Sequence, residues 1–236
     1  MANGKLYLIP TTLGNNESIA HVLPEYNHLP VHKITIFIVE QVRTARRFLK
    51  AIHHPVAIDE MIFFELNKHS DPHVISEYLK PLSEGKNVGV LSEAGTPCVA
   101  DPGAKIVELV HQKNITVIPL VGPNSIILAL MASGFNGQHF LFHGYLPIES
   151  SQRSKKIKEM ENAVFRLNQT QIFIETPYRN DKLLETLTRH LKPETKICVA
   201  ADLTMPDEYI KTLPARLWKN NKPELHKRPV VFLIGK

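Results

Sequence analysis

Cysteine is scarce in this chain of 236 residues: there are two, Cys98 and Cys198, far apart and with no metal-ligand spacing around either. That argues against a disulfide scaffold and against a thiolate metal site, and makes a reduced, cytoplasmic protein the expectation. Charge is missing from residues 114–148, which hold no Asp, Glu, Lys or Arg. Pro119, Gly122, Pro123 and Asn124 interrupt that stretch, and Gly134, Asn136 and Gly137 interrupt it again, so no membrane span is expected there. It reads instead as strand, turn, buried helix, loop, strand. The twelve histidines show no paired metal-ligand spacing, so no metal is expected. No P-loop lysine follows any glycine-rich turn and no G-x-G-x-x-G occurs, which argues against nucleotide-phosphate binding. The first ten residues carry one basic group and read as a strand, so no signal peptide is expected. Fixed-period repeats and low-complexity linkers are absent as well.

What is present is alternation. Strand candidates are Lys5–Ile9, Lys33–Val39, Met61–Leu66, Asn87–Leu91, Ile115–Pro119, His139–Phe142, Gln171–Glu175, Lys196–Ala200 and Pro229–Ile234. Helices with explicit caps fall between them. Asp71-Pro72 opens one that Gly85 ends; Asp101-Pro102 opens another that Asn114 closes; Asn124-Ser125 opens a third that Gly134 ends. Such alternation predicts an α/β fold with helical crossovers. Beyond residue 121 the tight alternation gives way to a basic amphipathic helix near Glu149–Leu167 and to longer loops. Two α/β domains are therefore expected, 1–121 and 122–236, with 43% hydrophobic residues to fill their cores.

Three strand-to-helix junctions carry more turn residues than a connection needs. They are "LYLIPTTLGNNES" (6–18), "LSEAGTPCVADPG" (91–103) and "VIPLVGPNS" (117–125). In open α/β sheets, ligands bind outside the carboxyl ends of the strands, and glycine there lets a ligand approach the backbone. Turns after neighbouring strands of one sheet would share a pocket.

"EAGTPCVADPG" (93–103), "PLVGPNS" (119–125), "FHGYLP" (142–147) and "FIETPYR" (173–179) together resemble the tetrapyrrole-methylase superfamily of S-adenosylmethionine-dependent methyltransferases. Within it the chain is most similar to the branch that 2′-O-methylates a cytidine ribose of small-subunit ribosomal RNA. The similarity runs in order from Leu6 to about Thr204. It implies two α/β domains with the cofactor in the cleft between them, commonly in a homodimer. Carried over, cofactor contacts fall on Pro10; on Gly95, Thr96, Pro97, Ala100 and Asp101; on Gly122, Pro123 and Ser125; and on Ile174, Glu175, Leu203 and Thr204.

The chain also departs from that branch. It has Glu40-Gln41-Val42-Arg43 where the branch reads E-D-T-R, and Ala201-Asp202-Leu203-Thr204-Met205 where it reads R-E-L-T-K. Glu93 stands where the branch has Asp. Methyl transfer is mainly a matter of alignment, helped by a base that takes the proton of a weakly nucleophilic hydroxyl. Glu93, Glu175 and Asp202 are the carboxylates near the matched motifs. The net charge of +5 suits an anionic partner, and Arg43, Arg46, Lys155, Lys156, Lys158 and Arg179 are the groups expected to face RNA. Arg47 and Lys50 extend the first cluster. A tetrapyrrole ring carbon, another RNA, or cofactor and RNA binding without turnover stay open as alternatives.

Overall fold

The computed structural model describes residues 3–15, 19–66 and 72–236, without the side chains of residues 72–74. The chain forms two compact units, Met1–Asn124 and Ser125–Lys236.

The first unit is built on a parallel sheet of β1 (Leu6–Ile9), β2 (Ile36–Val39), β3 (Ile62–Glu65), β4 (Val88–Leu91) and β5 (Val117–Pro119), in the order β3-β2-β4-β1-β5. All four residues of β2 and of β4 are buried, as a parallel sheet covered on both faces requires. Alternation divides them between two cores. Ile9, Phe37, Val39 and Leu91 face α1 (Ile19–Val22), α2 (His28–Val31) and α3 (Val42–Ala51). Leu6, Ile36, Ile38, Val88 and Val90 face α4 (Pro72–Tyr78), α5 (Lys80–Ser83) and α6 (Ala104–Gln112). Gly89 sits among the first set, where a Cβ would lie 2.6 Å from Ile9 and 2.9 Å from Phe37. Pro119, which cannot donate to a ladder, is placed on the edge strand β5.

Some boundaries differ from the sequence reading. The helix expected from Asp71 to Gly85 is divided at Leu79, because Pro81 has no N–H for the preceding turn. Asp71 itself lies outside the described residues. The helix expected to open on Asp101 begins at Ala104 instead, since Asp101 uses its carboxylate to accept the Gly103 N–H at 2.7 Å and holds a separate turn.

The second unit carries a mixed sheet, β6-β7-β10-β8-β9, of β6 (Phe140–Tyr145), β7 (Thr170–Ile174), β8 (Lys196–Ala201), β9 (Tyr209–Pro214) and β10 (Val230–Gly235). Only β6 and β7 are parallel; the other pairs are antiparallel. One face packs Phe173, Val199, Phe232 and Ile234 against α8 (Ser150–Leu167), α9 (Asn180–His190) and the buried Trp218. The indole N–H of Trp218 reaches the Ile197 and Leu213 carbonyls, both at 3.2 Å. On the other face, α7 (Ser125–Ser133) packs on β9 and β10, and Thr212 donates to Ser133 O at 2.8 Å. Residues 114–148 thus form strand, turn, helix and strand, and no helix among the described residues is long and apolar enough to cross a membrane.

Candidate functional site: three tied turns and two arginine-held loops

Because β4, β1 and β5 are adjacent and parallel, the turns that follow them emerge side by side. Hydrogen bonds tie the first to the second. Thr11 N donates to Gly95 O at 3.0 Å and Gly95 N to Thr12 O at 3.3 Å, while within the second turn the Ser92 hydroxyl also donates to Gly95 O. The Asn124 amide donates to Thr96 Oγ1 at 2.6 Å, which ties the third turn to the second. Between the first and third, the Pro10 ring lies against Gly122 so closely that a Cβ on the glycine would fall inside van der Waals contact. The three turns therefore lie together, with Pro10, Gly95, Thr96, Gly122 and Pro123 at their contacts.

Gly95 is also held by its neighbours. It has φ +73, and a Cβ there would meet Leu13 at 2.8 Å and Pro123 O at 3.0 Å. Its missing side chain makes room for two neighbouring turns. Downstream, Cys98 (φ +66) and Ala100 (φ +63) also hold left-handed backbone, which costs about 1 kcal/mol or more each and concentrates at functional turns. Burial, with the Asp101 carboxylate beside it, pushes the Cys98 thiol up to about 12. Burial also raises the Asp101 carboxyl above its ordinary value, against hydrogen bonds from the Gly103 and Cys98 N–H groups.

In the second unit, Ile174 ends β7 and Glu175 is buried beyond it. Glu175 accepts from Arg179 Nη2 at 2.6 Å and from Thr176 N at 2.7 Å. The segment after β8 is irregular. Asp202 and Thr204 are left-handed (φ +49 and +68), Thr204 N is held by Glu208 at 2.8 Å, and Leu203 is buried. Arg228, which sequence reading did not single out, holds this loop. Its Nε donates to Asp202 at 2.5 Å and its Nη2 to Asp207 O at 2.6 Å. Ser125 begins α7.

Of the three carboxylates considered as bases, Glu175 and Asp202 are engaged by arginines, whereas Glu93 makes no hydrogen bond or ion pair with the described residues. Of the groups expected to face RNA, Arg43, Arg46, Lys155 and Lys158 are exposed, and Lys156 is half-buried. Arg46 is paired with Asp59, and Arg179 with Glu175. Arg228 is a contributor that sequence left unmarked, and Asn124 is legible there only as the opening of a helix. Their partners, Asp202 and Thr96, lie 26 and 28 residues away in sequence.

A polar group open to a cofactor is present in the second unit. The Thr204 hydroxyl, in the loop expected to contact it, is buried without a partner, a polar group that a ligand can satisfy. The bent 95–101 backbone leaves Val99 and Ala100 exposed.

Most of the chain is similar to known proteins. The family model of the tetrapyrrole (corrin/porphyrin) methylases matches residues 26–217. A protein of Vibrio cholerae named ribosomal RNA small subunit methyltransferase I is 30% identical over 89% of this chain and 68% of its own length. Its namesake in Bacillus subtilis is 32% identical over 88% and 67%. One in Escherichia coli O157:H7 is 30% identical over 99% and 78%. Among solved structures, the methyltransferase CobJ superposes with a TM-score of 0.64 at 16% identity, covering 100% of this chain and 95% of its own. The uroporphyrin-III C-methyltransferase of Thermus thermophilus, solved with S-adenosylhomocysteine, gives 0.57 at 13% identity, covering 99% and 98%.

Fold and site thus define an α/β enzyme, an S-adenosylmethionine-dependent methyltransferase. Its homologues are named as methyltransferases of small-subunit ribosomal RNA. The chain belongs to the tetrapyrrole methylase family.

Proposed function

We propose that this methyltransferase methylates the 2′-hydroxyl of a ribose in small-subunit ribosomal RNA. The observation that carries the reading is the extent of the match to relatives named for that RNA, over 88–99% of the chain. S-adenosylmethionine supplies an electrophilic methyl group carried on a sulfonium. Pro10, Gly95, Thr96, Pro97, Ala100, Asp101, Gly122 and Pro123 hold it from the first unit; Ser125, Ile174, Glu175, Leu203 and Thr204 hold it from the second. Thr96, fixed by Asn124, and Thr204 offer hydroxyls to its polar ends.

A ribose hydroxyl is a weak nucleophile, so its proton must leave as the methyl arrives. Glu93 takes it, since it is the carboxylate of the three with no cation or donor on it. Arg179 and Arg228 keep Glu175 and Asp202 in place, and those two acids shape the site. Arg43, Lys155 and Lys158, exposed and unpaired among the described residues, meet the phosphates first. Arg46 and Arg179 join when Asp59 and Glu175 release them, and the half-buried Lys156 joins with them. Methylation of ribosomal RNA goes with a cytoplasmic protein.

The protein works as a homodimer. Ile127 and Met131 on α7 and Phe140, Leu141 and Tyr145 on the edge strand β6 are exposed, Met131 at 74%, an apolar display that a second copy would cover. Light scattering at micromolar concentration should give twice the chain mass.

Transfer of tritiated methyl from S-adenosylmethionine to RNA tests the function, using ribosomal RNA from cells that lack the gene. Incorporation as 2′-O-methylribose is expected. Glu93→Gln should lower the rate by about a hundredfold or more while cofactor affinity is kept. Incorporation into a tetrapyrrole instead of RNA would overturn the reading.

A further inference from the structure

Tyr178 lies four residues past the end of β7 with its ring 70% exposed. It is not a loose side chain on a loose loop. Pro177 fixes the backbone before it. Thr176 O accepts the Arg179 N–H at 2.9 Å, and Arg179 Nε reaches Thr176 Oγ1 at 3.1 Å. The neighbouring 225–228 segment is fastened to the same turn. Lys227 N donates to Pro177 O at 3.0 Å, Asn180 Nδ2 to Arg228 O at 2.7 Å, and Leu225 N to Asp181 at 3.3 Å. That segment sets the exposed His226 ring edge-on to Tyr178, with centroids 5.8 Å apart. Lys227 stands beside it at φ +63, exposed, and makes no ion pair among the described residues. Glu175 and Asp181, the carboxylates of the turn, both accept hydrogen bonds within it.

A rigid, solvent-facing aromatic ring, supported from one side by a second ring and flanked by cations, matches the chemistry of an unpaired nucleotide. The base stacks on the ring, and the phosphate finds a cation. We infer that Tyr178, supported by His226, is the platform on which an unstacked base of the RNA acceptor is held, with Lys227 on its phosphate. The inference rests on the RNA reading above and adds a specificity to it: the acceptor is taken as single strand rather than as duplex. Tyr178 is here a positioning residue, placed on the same turn as Glu175.

Stacking on one side chain makes a difference of between about fivefold and a hundredfold in affinity for single-stranded RNA, and it releases no counterions. The experiment measures binding of the full chain to a labelled single-stranded RNA dodecamer, and to the same sequence as duplex, across a salt series. Tyr178→Ala should weaken the single-strand affinity at least fivefold, with the slope of log affinity against log salt unchanged. Tyr178→Phe should stay within about twofold of wild type, since it keeps the ring. His226→Ala should give a smaller loss. S-adenosylmethionine affinity of each variant, measured in parallel, should match wild type. Unchanged single-strand affinity in Tyr178→Ala would overturn the inference and leave the RNA reading standing. So would an equal loss in Tyr178→Phe, or a loss that comes with a flatter salt slope. A wild-type chain that binds neither RNA would overturn both.

Discussion

The Asn124 amide donates to the Thr96 hydroxyl at 2.6 Å, joining the turn after β5 to the turn after β4. A threonine in the middle of a glycine-proline turn has little to hold it otherwise, and this bond sets the direction in which its oxygen can meet a ligand. Thr96→Val keeps the shape of the side chain and removes that oxygen. A net hydrogen bond contributes about 1 kcal/mol, and an amide left without its acceptor costs more. Affinity for S-adenosylhomocysteine, read by calorimetry, should therefore fall about tenfold, while the unfolding temperature moves little.

Gly95 is expected to behave differently. Alanine there must adopt φ +73 with its Cβ pressed on Leu13 and Pro123 O, at a cost of about 2 kcal/mol. Gly95→Ala should lower the unfolding temperature by about 5 °C as well as weaken cofactor binding, because the turn must shift. A variant with full stability and no cofactor affinity would mean that the glycine serves the ligand directly.

His143, on the edge strand β6, donates from Nε2 to Gln171 Oε1 at 2.7 Å. Burial lowers its pKa below the ordinary value; the Gln171 bond opposes this, and Lys156 adds to it. The unfolded chain therefore takes up this proton at higher pH than the folded one. Stability from the neutral ring is complete above about pH 6.5 and declines as pH falls from there towards the lowered folded value. Urea unfolding between pH 7.5 and 5 (midpoints compared for wild type and His143→Gln) should show a smaller decline in the variant.

Much of this molecule is written in local pattern. The three junctions are legible because proline, glycine and capping residues punctuate them. Their convergence follows from β4, β1 and β5 lying together in one parallel sheet. The charge-free 114–148 stretch is legible as β5, α7 and β6 for the same reason. What stays hidden is tertiary. β9 (Tyr209–Pro214) is a half-exposed edge strand whose residues show no clean alternation and end on proline, so it reads as loop. Arg228 gives no sign in sequence that it holds Asp202; Glu175 and Arg179, four residues apart, read equally as an ion pair or as a base and a separate cation, and only the structure shows the pair. Whether a basic residue is available to RNA is decided by such partners and not by the sequence run that contains it.

That distinction gives the last prediction. On α3, Arg43, Arg46, Arg47 and Lys50 fall at successive helical turns on one exposed face, opposite the buried Ala45, Phe48 and Leu49. Arg46, Arg47 and Lys50 line an open groove of about 650 Å³, together with His53 and Asp59. Arg46 is already paired with Asp59, which leaves three charges free to displace counterions from a phosphate backbone. On α8, Lys155 and Lys158 are exposed, whereas Lys156 is half-buried near His143. For a single strand, each lost phosphate contact flattens the slope of log affinity against log salt by about 0.7. The variant Arg43→Ala/Arg47→Ala/Lys50→Ala should then flatten the slope by about 2. Lys155→Ala/Lys158→Ala should flatten it by about 1.4, and adding Lys156→Ala should change little more. Cofactor affinity should be untouched in all three, since none of these residues belongs to the tied turns. Equal slopes in a variant and wild type would make that helix face a solvated surface with no part in RNA binding. A flattening in the first variant that Arg46→Ala alone reproduces would show instead that the Asp59 pair opens when RNA arrives.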